Sequence, residues 1–184
     1  MEKQQLMGFI IHTLKTSIFK KTHLSLIIAW WLSLICIPLL SINGRALQAY
    51  ISNNYSSQQL AIVLGTVLLL LSFKAALLQI KNHGTKRLWH LLWFIPLFVV
   101  YPYFMPIIEE RLHFIVFGLY GYLSMMVLPM FSAYIACLLL SMGDELLQWY
   151  LPDRVGDWRD VQFNLLAAFA ATLFAQLSLK SARE

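Results

Sequence analysis

Between Arg111 and Asp144 the chain carries no formally charged residue, and the apolar character persists over residues 112–149, 38 in all. One helix of that length would extend about 57 Å, nearly twice the ~30 Å hydrocarbon thickness of a bilayer. The run must therefore fold back. Leu128-Pro129, near its middle, is the available punctuation, because proline lacks a backbone donor and disfavours helix in the residue before it. Two helices are predicted, over residues 112–127 and 130–149.

Other runs have the same make-up. Residues 24–40, 60–80 and 88–108 are each long and apolar enough to span or nearly span a bilayer, and a further helix is expected over about residues 160–179. Pro96, Pro102 and Pro106 should bend the third of these six spans or loosen its end. The whole chain is 59% hydrophobic and only 12% charged, about half the charge a water-soluble domain carries. The fold class expected is all-α: a polytopic membrane bundle of about six transmembrane helices. Residues 1–23 read as a cytoplasmic or interfacial segment, in which QLMGFIIHTLKTSIF suits an amphipathic surface helix. Residues 24–87 read as two accessory spans and 88–184 as a four-helix core. The first span is expected to be a retained anchor, since its apolar run exceeds a signal-peptide core and no A-x-A site follows closely.

Charge placement sets the expected orientation. Lys3, Lys15, Lys20, Lys21, Lys74, Lys81, Lys86, Arg87, Lys180 and Arg183 fall on one side of a six-span bundle. An excess of Lys and Arg marks the cytoplasmic side, so both termini are expected inside. The same scatter through short loops argues against nucleic-acid binding despite the net charge of +5. Cys36 and Cys137 lie within apolar runs and read as small packing residues rather than a disulfide framework.

The remaining polar residues converge on the other, extracytoplasmic end. Glu109, Glu110, Arg111 and His113 open the fourth span, Asp144, Glu145 and Gln148 close the fifth, and Arg154, Asp157, Arg159, Asp160 and Asn164 lead into the sixth. Spacings of three and four place Glu109 with His113, Gln148 with both Asp144 and Glu145, and Asp160 with Asn164 on shared helix faces. Asp160 is expected to cap the sixth helix, while Glu110 and Asp157 read as solvated loop charges. Acids inside a span need compensation, and Arg111, Arg154, Arg159 and His113 are the expected compensators of Asp144 and Glu145.

The run DELLQWYLPDRVGDWRDVQFN, with EERLHFIVFGLY upstream, resembles the signature of the VanZ-like family of bacterial integral membrane proteins. The resemblance rests on Glu109, His113, Asp144, Glu145, Gln148, Arg154, Asp160 and Asn164 and extends over roughly residues 88–179. It departs where Glu110 replaces the usual Lys and where Ala167 and Ala171 replace two glycines. It implies a multi-pass protein of the bacterial inner membrane with a cell-envelope role of the glycopeptide (teicoplanin) tolerance type. The expected ligand is an amphiphile, such as a lipid-linked cell-wall precursor or a lipoglycopeptide, beside the membrane lipids themselves.

The residues leave a second class open, a membrane enzyme acting on a lipid headgroup. His113 or Glu145 would then transfer protons and Arg154 would grip phosphate. A transporter fits less well, because the first four spans carry only Lys74 in their interiors. No metal is expected, since no second histidine has ligand spacing to His113. No cofactor is expected either.

Overall fold

A computed structural model describes residues 2–105, 110–152, 154 and 156–179. Helix α1 (Glu2–Asn54) runs through Pro38, so the segment before the first span joins it without a break. At 1.5 Å per residue it is about 80 Å long, far more than the hydrocarbon requires. Helix α2 (Ser57–His83) opens with a capping box: Ser56 Oγ accepts from the Gln59 amide at 3.2 Å, and Gln59 Oε1 accepts from the Ser56 amide at 2.9 Å. The box satisfies donors that a helix start otherwise leaves bare.

The chain turns back at Gly84, whose φ of +63° suits a residue without Cβ. It returns as a 3-10 helix (Gly84–His90), α3 (Leu91–Ile95), a π turn (Pro96–Val100) and α4 (Tyr101–Tyr103). The π turn begins at Pro96, where a missing backbone donor loosens the α ladder. Helix α5 (Arg111–Val127) ends beside Leu128, and α6 (Met130–Tyr150) starts directly after Pro129, the break that the sequence predicts. Helix α7 (Trp158–Phe174) closes with a π turn (Ala175–Leu179).

Among the described residues, four helical stretches are long and apolar enough to cross a membrane: His23–Asn54, Ser57–Tyr103, Met130–Tyr150 and Trp158–Ser178. The second is the hairpin hinged at Gly84, and Arg111–Val127 is shorter. The sequence expectation of six spans counts the hairpin twice and includes α5. The protein is a polytopic helical membrane bundle, and its large apolar side chains are distributed accordingly. Leu69, Leu70, Phe73, Leu139 and Leu146 are exposed on the outside, where lipid rather than water is the solvent.

Helix α5 occupies the centre, with Phe114, Phe117, Tyr120 and Met125 all buried. It packs most closely on α7. A Cβ added at Gly121 would stand 2.2 Å from the Ala168 carbonyl oxygen, and Thr172 Oγ1 donates toward Gly121 O at 3.0 Å and Ala168 O at 2.7 Å. Small residues permit this approach. Ala167 and Ala171, which depart from the family pattern, are both buried. Trp30 on α1 donates to Ser124 Oγ at 2.9 Å and stacks on Tyr120, tying α1 to α5.

Candidate functional site

The polar groups meet where α6 ends and α7 begins. Asp144, Glu145 and Gln148 lie on one face of α6, and all three are buried. Gln148 Nε2 donates to Asp144 Oδ2 and to Glu145 Oε1, each at 3.1 Å. Its Oε1 accepts from Arg154 Nη2 at 2.7 Å. A primary amide has two N–H donors and one carbonyl acceptor, so one side chain links two carboxylates to a guanidinium, and its orientation is fixed by what it touches.

The second oxygens of the acids find partners elsewhere. Ser41 on α1 donates to Asp144 Oδ1, and the Asp157 amide donates to Glu145 Oε2 at 3.1 Å. The loop reaches Glu145 because Gly156 passes close above α6: a Cβ there would meet the Glu145 carbonyl oxygen at 2.6 Å. Gly44 plays a similar part on α1, since an added Cβ would stand 2.6 Å from Arg154 Nη1. Glycine lets the guanidinium rest against the helix backbone.

His113 Nδ1 lies 2.5 Å from Asn164 Oδ1, which joins α5 to α7 beside this network. Asn164 is fully buried, and its Nδ2 has no partner among the described residues. Arg159 Nη2 bridges both oxygens of Glu110, at 2.9 and 3.0 Å, and its guanidinium sits 5.3 Å from the centre of the Phe163 ring. Burial pushes the Glu110 carboxyl above its ordinary value, against the pull of Arg159.

These groups border a cavity of about 390 Å³. Its polar lining is Ser41, Glu110, His113, Asp144, Arg154 and Asp160, with Gln48 and Gln148 beside them. Its apolar lining comes from α1 (Ile37, Leu40, Leu47, Ile51), α2 (Leu60, Leu64) and α5 (Leu112, Val116, Phe117). Polar groups are thus gathered by four segments against one continuous apolar wall. Among the described residues, no three His, Cys, Asp or Glu side chains converge to hold a metal ion.

Of the residues expected from sequence, His113, Asp144, Gln148, Arg154 and Asp160 line the cavity. Glu145 and Asn164 stand behind it, bonded to Gln148 and His113. Glu109 and its pairing with His113 lie outside the described residues. Two expectations are corrected. Asp157, not Asp160, caps α7: the helix starts at Trp158, and Asp157 Oδ1 accepts from the Arg159 amide at 2.9 Å. Asp160 then falls in the first turn and is left to face the cavity. Glu110 is no solvated loop charge, being 6% exposed and ion-paired, whereas Asp157 is an exposed loop residue even as it caps the helix.

Of the four expected compensators, Arg154 and His113 act on Asp144 through their charge, as Arg154 does on Glu145, and the other two are engaged elsewhere. Arg159 serves Glu110, while Arg111 donates to the Tyr103 carbonyl at 2.9 Å. Asp144 and Glu145 are bonded instead by Ser41, Gln148 and the Asp157 amide. Ser41 and Gly44 carry no sequence signal beyond a small polar interruption, SINGR, after an apolar run.

Comparison with known proteins extends the resemblance. The family model described as VanZ/LLP1 matches residues 24–179, so the matched region takes in α2 and most of α1 as well as the motif-bearing helices. No curated protein and no solved structure matches the chain. With most of its length matched, including the helix that supplies Ser41 and Gly44, the chain belongs to the VanZ/LLP1 family of membrane proteins.

Proposed function

We propose that this protein acts in the bacterial cell envelope by binding an amphiphile at the outer face of the inner membrane. The ligand class is a lipid-linked envelope component or a lipoglycopeptide, and the expected consequence is tolerance of the glycopeptide (teicoplanin) type. The observation that supports this reading is the cavity, whose polar groups and apolar wall match the two ends of an amphiphile. Its size falls in the range of small-ligand sites, enough for a headgroup with the start of its chain. The outer-face assignment rests on the basic residues. Arg87, which donates to the Leu177 carbonyl at 2.7 Å, sits at the opposite end of α7 from Asp160.

The test compares a deletion strain with strains carrying the wild-type gene or Arg154→Ala, reading envelope-lipid profile and glycopeptide susceptibility at equal expression. Wild type should restore both readouts and Arg154→Ala should not. Full restoration by Arg154→Ala, together with His113→Ala, would remove the cavity from the function. A second reading, an enzyme acting on a lipid headgroup, draws on His113 bordering the same cavity as Asp144 and Asp160. His113→Gln separates the two: turnover of a lipid would stop, whereas binding would persist.

A further inference from the structure

Opposite charges border the cavity without pairing with each other. Arg154 has one described partner, the Gln148 amide oxygen, and its buried Nε has none. Among the described residues no carboxylate lies within salt-bridge distance of it, the ion pair found being Arg159 with Glu110. The Asp160 carboxylate, which also borders the cavity, makes no hydrogen bond or ion pair with a described side chain. Asp144 is bonded only by the neutral Ser41 and Gln148. The lining therefore holds one guanidinium and the His113 imidazole against three carboxylates. Glu110 is ion-paired with Arg159 and Asp144 feels the charges of His113 and Arg154, which leaves Asp160 as the carboxylate without a bonded partner among the described side chains.

This balance discriminates among headgroups. A purely anionic one would gain Arg154 but face Asp160, which no described side chain neutralises. A purely cationic one would satisfy the acids and leave Arg154 facing a like charge. A group with both signs complements both, because guanidinium binds phosphate through paired N–H donors and a primary ammonium offers three donors to carboxylates.

We infer that the cavity takes the headgroup of a zwitterionic amphiphile, its phosphate diester on Arg154 and its primary ammonium on Asp160. This rests on the amphiphile-binding reading above. Gly44 leaves the guanidinium room against α1, and the acyl chain lies along Ile37, Leu40, Val116 and Phe117, which border the same cavity.

The test titrates the purified full-length protein in detergent with two short-chain probes. Phosphatidylethanolamine carries the phosphate diester and the ammonium; phosphatidylglycerol carries the same diester without the amine. Wild type should bind the first about tenfold more tightly, the worth of one charge-assisted contact. Asp160→Asn should erase that difference by weakening phosphatidylethanolamine alone, and Arg154→Gln should weaken both probes. Equal or tighter binding of phosphatidylglycerol by wild type would overturn the zwitterion and leave the amphiphile reading standing. Binding of neither probe would overturn both. The wild-type comparison decides the matter even if a variant fails to fold.

Discussion

Replacing Gly44 by alanine should separate the site from the fold. The new Cβ would stand 2.6 Å from Arg154 Nη1, 3.0 Å from Cζ and 3.2 Å from Nη2. The guanidinium is the far end of a flexible side chain, so it should withdraw by roughly 0.8 Å to an ordinary contact at little structural cost. The Arg154–Gln148 hydrogen bond, 2.7 Å now, would then stretch toward 3.5 Å, the edge of what still counts as one. A charge-assisted bond is worth about 1.5–3 kcal/mol when desolvated. Arg154 is only partly buried, so the low end applies, about tenfold in affinity for a phosphate-bearing amphiphile. Stability should change less, since alanine is favoured over glycine in a helix by up to about 1 kcal/mol, which offsets part of the weakened bond. Gly65→Ala is the control, because nothing lies within 4 Å of its added Cβ; it should leave binding alone. Thermal unfolding in detergent and titration with short-chain phosphatidylethanolamine measure the two quantities. Unchanged affinity in a normally folded Gly44→Ala protein would refute the reasoning.

Gly121→Ala should behave oppositely. Its Cβ would meet backbone, the Ala168 carbonyl at 2.2 Å, so the α5–α7 contact must open at a cost of about 1–3 kcal/mol, read as a lower melting temperature. Asp157→Ala should cost about 1 kcal/mol through loss of the cap, while Asp160→Ala should change melting little and binding markedly. Glu110 predicts a pH trend. Its folded pKa lies above the ordinary 4.5, so the folded state binds the extra proton, and its contribution to stability is greatest below 4.5 and falls as pH rises through the folded value. Glu110→Gln should flatten this component, and melting curves of the two proteins across that window check it.

Much of the bundle was legible because bilayer thickness and proline act locally. The break at Leu128-Pro129 follows from length and a missing donor, and the gathering of Asp144, Glu145 and Gln148 follows from helix periodicity. Ser41 was not legible. It meets Asp144 across 103 positions of sequence, and no periodicity in either helix announces the partner. The cap of α7 was misassigned because both Asp157 and Asp160 suit that role. The choice was made by a tertiary contact, the passage of Gly156 over the Glu145 carbonyl, which brings the Asp157 amide to the Glu145 carboxylate. Glu110 was misread for the same kind of reason: its cation, Arg159, is 49 positions away.

Trp30, Ile37, Ser41 and Gly44 recur along α1 at intervals that keep them on one stripe, the first bonded to Ser124, the second in the core, the third on Asp144 and the last under Arg154. Adding one residue to that stretch would turn everything beyond it by about 100°, carrying Ser41 and Gly44 away from their partners while Trp30 kept its own. The anchoring of this rod and the shape of the cavity therefore share a single rotational phase. Neither can drift among descendants of this sequence without the other.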